Sequence, residues 1–112
     1  MNRLTLGGVP ERVKEKVSEV DAEARVILFG SRARGDHKAD SDWDFLIITR
    51  QKASRSLQDE IRELLYDIEL DIDQVISSII EDEETWRKYG QSELYEFVKA
   101  EGIEVVTPET AR

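Results

Sequence analysis

Two short stretches of the 112-residue chain hold residue types that could do chemistry together. One is Gly30-Ser31-Arg32-Ala33-Arg34-Gly35 and the other is Asp42-Trp43-Asp44. Residues two apart on a strand share a face and lie roughly 6.6 Å apart along it. Two carboxylates so placed share a proton poorly, but they can share divalent metal ions. Metal pairs in phosphoryl-transfer sites stand roughly 3.5–4 Å apart, flanked by carboxylates. Hard oxygen ligands favour Mg²⁺ or Mn²⁺, above all when substrate phosphates complete the shell. A strand that ends in Gly-Ser before a short helix offers unpaired N–H groups and the positive end of a helix dipole. Gly30 would let a phosphate approach the backbone, Ser31 would add a hydroxyl donor, and Arg32 or Arg34 would add charge. Each feature alone has a plainer reading, as a turn, a pair of solvated acids or two surface arginines. Together they describe a turn that holds a polyphosphate beside acids that hold the metals bridging it.

The elements that must position these residues follow from the apolar pattern. Val26 to Phe29 is a continuous apolar run stopping at Gly30, which reads as a buried strand. A second strand is expected over Asp42–Thr49, with acid at its start and apolar residues on both faces beyond. Strands covered on both sides require helices packed on a sheet. A helix is expected from Val9-Pro10 to about Asp21, with Val13, Val17 and Val20 at helical spacing. Another is expected over 57–70, capped by Ser56 with Asp59 as a partial capping box, its stripe being Leu57, Ile61, Leu64, Leu65 and Ile68. A β-like segment over Asp73–Ile80 follows, then short helices over Glu83–Tyr89 and Glu93–Glu101. Ser92 caps the latter, Gly102 ends it, and a last strand covers 103–106. The order is α-β-turn-β-α-β-α-α-β. Whether the sheet is parallel or mixed does not follow from the pattern.

Composition narrows the class. The length fits one domain, expected over 9–107 between flexible ends at 1–8 and 108–112. Hydrophobic residues make up 39% of the chain, enough for one core and too little for a large internal cavity. No apolar run approaches the ~20 residues that span a bilayer. The N-terminus lacks a secretory pattern, and without cysteine there is no disulfide or thiolate site. No membrane association is expected, and a cytoplasmic protein is. The formal net charge of −9 disfavours general nucleic-acid binding. Arg25, Arg32, Arg34, His37 and Lys38 form a basic island around the Gly-Ser turn, which favours a small anionic ligand.

The Gly30-Ser31 pair, ten intervening residues and Asp42-x-Asp44 resemble the signature of the DNA polymerase β-like nucleotidyltransferase superfamily. In particular they resemble its small single-domain branch, the minimal nucleotidyltransferases (MNT). The resemblance covers about residues 9–106 in element order, and its diagnostic part lies within 27–48. It implies an α/β (α+β) fold with a mixed sheet of about four strands flanked by helices. It implies transfer of a nucleoside monophosphate from an NTP, with ATP expected, to a hydroxyl acceptor. Gly30 and Ser31 would then contact phosphates, and Asp42 and Asp44 would ligate Mg²⁺. Relatives of this size resemble the antitoxin half of HEPN/MNT pairs, so a helical HEPN-family toxin becomes the expected partner and its side chain an expected acceptor. A non-catalytic antitoxin or regulatory module is the alternative. The superfamily usually adds a third carboxylate on a neighbouring strand. Asp73 fills that role if the strand includes Ile72–Val75, and Ser77 falls there if the strand is Val75–Ile80. Glu69 and Asp71 are further options for that carboxylate, though both read as capping or ending the preceding helix.

The remaining conspicuous residues have structural readings. His37 reads as a solvated loop residue, and Trp43 as core, pointing opposite the acids. Trp86 and Tyr89 read as a helix-packing face, and Glu81–Glu84 as an acidic helix start favoured by the dipole. Trp86, Tyr89, Tyr95 and Phe97 could also supply an apolar patch for a homo-oligomer.

Overall fold

The computed structural model describes residues 8–88 and 92–106. Nine elements follow in the order α1 Val9–Val20, β1 Arg25–Phe29, α2 Ser31–Arg34, β2 Trp43–Thr49, α3 Arg55–Ile72, β3 Ile76–Asp82, α4 Glu83–Lys88, α5 Glu93–Glu101 and β4 Ile103–Val105. The strands form one sheet in the order β3-β2-β1-β4. β1 is antiparallel to both β2 and β4, and β2 is parallel to β3, so the sheet is mixed. The expected α+β class and four-stranded mixed sheet are borne out.

The pleat divides the apolar run of each central strand between two cores. Val26, Leu28, Phe45 and Ile47 face α1 and α3, where they meet Val13, Val17, Leu57, Ile61, Leu65 and Ile68. Ile27, Leu46 and Ile48 face the other way, toward Trp86 of α4 and Val98 of α5. This double cover explains why β2 reads as a continuous apolar run instead of an alternation. Phe45, Leu46 and Ile47 are fully buried, and each contributes about 1.5–3 kcal/mol by leaving water. No helix among the described residues is long and apolar enough to cross a membrane.

Both ends of α3 and both ends of β3 differ from expectation. Helix α3 begins at Arg55, because Ser54 and not Ser56 caps it. The Ser54 hydroxyl accepts the Leu57 N–H at 3.1 Å, while Ser56 and Asp59 lie exposed within the helix. At its far end α3 runs on to Ile72, which continues the buried stripe against the first core. The chain therefore cannot be a strand at Asp73. That residue instead caps the helix in the left-handed region, at φ 56° and ψ 41°, with its N–H on Glu69 O at 2.8 Å. Strand β3 starts only at Ile76 and takes in Glu81 and Asp82, which had been expected in a helix start. Tyr89, residues 1–7 and residues 107–112 lie outside the described residues.

Candidate active site

Where β1 ends, the chain turns at Gly30 with φ 77° and ψ −161°, a conformation that side chains strongly disfavour. A Cβ at this position would also collide with Oδ2 of Asp44. Glycine is thus required twice, by the backbone angle and by the carboxylate lying against it. The single turn α2 follows, closed by the Arg34 N–H on Gly30 O (3.1 Å) and the Gly35 N–H on Ser31 O (2.9 Å). Gly35, at φ 90°, ends it. The first N–H groups of such a turn have no intrahelical acceptor.

Asp44 is the second residue of β2 and occupies the middle of the sheet edge. Its Cα partners are Phe29 on β1 and Ser77 on β3. The pleat gives it the same face as Leu46 and Ile48, toward α5. Asp42, two residues earlier, is exposed, while Asp44 is half-buried. Burial raises the Asp44 pKa most, and repulsion from Asp42 and Glu101 adds to it while Arg34 opposes. The two aspartates therefore sense each other's charge, which a divalent cation would relieve. Two carboxylates suit a cation that keeps waters and substrate phosphates as its other ligands. Among the described residues, no group of three or more His, Cys, Asp or Glu could hold a metal ion.

The two arginines of α2 diverge. Arg32 is turned to the Trp43 side of the strand, its guanidinium 4.3 Å from the ring centroid. Its Nη2 donates to Ser41 O at 3.0 Å and to Ala39 O at 3.2 Å. It therefore pins the loop that carries Asp42. Arg34 lies on the acid side, with Nε on Asp36 at 3.2 Å and Nη1 on both oxygens of Glu101 at 3.2 Å. Trp43 points away from the acids as expected and stacks on Phe45. It is only half-buried, and its Nε1 donates to Gln74 Oε1 at 2.6 Å. That bond, together with Trp43 N–H on Val75 O at 2.9 Å, fixes where β3 enters. His37 is exposed in the loop.

Of the two positions open for a third carboxylate, Asp73 stands exposed at the end of α3, off the sheet. Ser77 is the residue in register with Asp44. Besides Asp44, a second carboxylate reaches the turn, that of Glu101, which lies outside the sequence motif. Its Oε1 accepts the Gly30 N–H at 2.9 Å. One signal could have found it, because an acid in the last turn of a helix opposes the helix dipole and calls for a partner elsewhere. The cavity of about 250 Å³ under α5, lined by Ile27, Trp86, Tyr95 and Val98 among others, includes none of these acids.

Known proteins share the family and the fold of this chain. A family model described as a nucleotidyltransferase domain matches residues 9–104. A protein of Methanocaldococcus jannaschii named "Putative protein adenylyltransferase" is 33% identical over 94 residues, covering 82% of this chain and 90% of that protein. A solved structure described as a toxin-antitoxin with AMP-PNP has the same fold, with a TM-score of 0.65 at 14% identity. The match covers 91% of this chain and 77% of that one.

Proposed function

This chain belongs to the nucleotidyltransferase domain family, and on that premise we propose an NTP-dependent nucleotidyl transfer at the Gly30/Asp44 turn. The observation that carries this reading is the contact between the two, a glycine turn whose missing side chain leaves room for the Asp44 carboxylate. Asp42 and Asp44 would hold Mg²⁺ or Mn²⁺. Bound there, the ion would supply charge neutralisation for the NTP phosphates. Gly30, Ser31 and Arg34 would hold the polyphosphate, and Arg32 would serve by fixing the Asp42 loop. The acceptor hydroxyl loses its proton to solvent and its oxygen bonds to the α-phosphorus as the α–β bridge breaks and pyrophosphate leaves.

ATP is the nucleotide this reading favours, supported by the adenylyl activity in the relative's name and by AMP-PNP in the neighbour's description. The acceptor would be a protein side-chain hydroxyl, delivered in the cytoplasm by a helical HEPN-type toxin. The toxin-antitoxin assembly of the structural neighbour supports such a partner. One observation favours a second reading, a non-catalytic antitoxin that keeps the nucleotide fold. Ser77 stands in register with Asp44, where the resemblance leads one to expect an acid. Asp73 would act from the end of α3, off the sheet.

A calorimetric titration with Mg·ATP, comparing wild type with Asp42→Asn and Asp44→Asn, tests the nucleotide site. Metal-dependent binding lost in both variants, with the fold intact, is expected. Absence of binding in the wild type, or unchanged binding in both variants, would overturn the reading.

A further inference from the structure

The turn that the nucleotide reading assigns to phosphate already has an anionic occupant in this structure. Glu101, the last residue of α5, places Oε1 2.9 Å from the Gly30 nitrogen. Both of its carboxylate oxygens lie 3.2 Å from Arg34 Nη1. Its side chain is only 16% exposed. We propose that Glu101 is an internal competitor for the phosphate turn, a carboxylate that the nucleotide's polyphosphate must displace from the Gly30 N–H and from Arg34.

Three features support this assignment, which rests on the nucleotide reading of the same turn. First, a phosphate oxygen and a carboxylate oxygen are anionic acceptors for the same donors, so one excludes the other from a single N–H. Secondly, Glu101 is poorly placed by every other criterion. It stands at the C-terminal end of a helix, where the dipole disfavours an acid, and its charge adds to the repulsion felt by Asp44. Among the described residues, the Gly30 N–H and Arg34 offset those costs, and they are the groups a phosphate would claim. Thirdly, α5 is anchored so as to deliver the side chain. Val98 is buried against Ile27 and Leu46, Phe97 meets Phe29 edge-on at 6.3 Å, and a Cβ at Gly102 would strike Val98 O and Ile27. The helix end is thus pressed on β1 directly beside the turn. Displacing Glu101 breaks its bonds to the Gly30 N–H and Arg34 while the helix end stays in place, and nucleotide affinity is lower for it.

The test compares Mg·AMP-PNP affinity in wild type, Glu101→Gln and Glu101→Ala by calorimetry. Inorganic tripolyphosphate serves as a probe of the turn without a nucleoside, and thermal melts establish that each variant folds. Both variants should bind AMP-PNP about tenfold more tightly, and tripolyphosphate should show the same gain. In wild type, the Gly30 amide resonance should shift on adding tripolyphosphate. In Glu101→Ala it should be shifted before any ligand is added. Equal or weaker AMP-PNP binding in the folded variants, with wild type still binding, overturns the competitor role and leaves the nucleotide site standing. No binding of either probe by any of the three proteins overturns the nucleotide reading, and the competitor role with it. If Glu101→Ala does not fold, Glu101→Gln, which keeps the volume and loses the charge, decides alone.

Discussion

Asp44 on β2 and Ser77 on β3 are paired in the parallel register of the two strands, so a hydroxyl stands beside the half-buried carboxylate of the candidate site. Replacing Ser77 with Asp would bring a third carboxylate to the same sheet edge. Without metal, the like charges should destabilise the fold. With Mn²⁺ that loss should reverse, and calorimetry should show tighter metal binding than in wild type. If transfer is slow for want of a group to take the acceptor's proton, pyrophosphate release should rise by about a hundredfold or more. Unchanged metal affinity in Ser77→Asp would mean that this edge does not hold the ion.

Gly30→Ala introduces a side chain at φ 77° and against Asp44 Oδ2. The carboxylate can swing away, so the steric part is relieved at the expense of the site. The backbone part remains and should lower stability by about 1–2 kcal/mol. The expected phenotype is a folded, less stable protein with no measurable Mg·ATP binding. A melting temperature equal to wild type would contradict the strained turn.

Arg32 and Arg34 should separate structure from binding. Arg32→Ala removes the stack on Trp43 and the bonds to Ala39 and Ser41, with a loss of about 1 kcal/mol and several degrees in melting temperature. Arg34 is exposed but pairs with Glu101, so Arg34→Ala should lower the melting temperature less than Arg32→Ala does while weakening binding of tripolyphosphate. The reverse pattern would exchange the two roles.

Asp82 ends β3 and ties two helix starts together. Its carboxylate accepts the Ala53 N–H at 3.0 Å ahead of α3 and the Thr85 N–H at 2.8 Å in α4. Those bonds, Ala53 first, hold its pKa below the ordinary carboxylate value. The folded state thus binds the proton less readily than the unfolded state does. The stabilisation is therefore complete above the unfolded pKa and is lost as pH falls through the depressed one. Asp82→Ala should cost about 1 kcal/mol at pH 7. Denaturant melts across acid pH should show the difference between the two proteins closing, and a difference that persists below that range would rule out the carboxylate as its source.

Local pattern was enough for most of the elements and for the central motif. Val26–Phe29 and Phe45–Ile48 lack alternation because each is buried on both faces, and their short length with turn residues at the flanks identifies them as covered strands. The Ser92 cap and Gly102 stop of α5 were equally legible, since caps involve residues three or four apart. Errors arose where two local signals competed. Ser56 reads as the cap of α3 because a stripe begins at Leu57, but the structure puts the cap two residues earlier, where the Ser54 hydroxyl accepts the Leu57 N–H. Ile72 could end a helical stripe or open a strand, and its packing against the first core settles the matter for the helix.

By itself, then, the sequence determined the element order, the Gly30-Ser31 turn and the Asp42/Asp44 spacing, because each depends on neighbours along the chain. Only the tertiary structure decided that β2 and β3 run parallel with Asp44 beside Ser77, and that Asp73 stays on the helix. It also decided that Glu101, 71 positions away, reaches the Gly30 N–H. Strand register and long-range hydrogen bonds are fixed by which surfaces pack together, and no periodicity within a single segment contains that information.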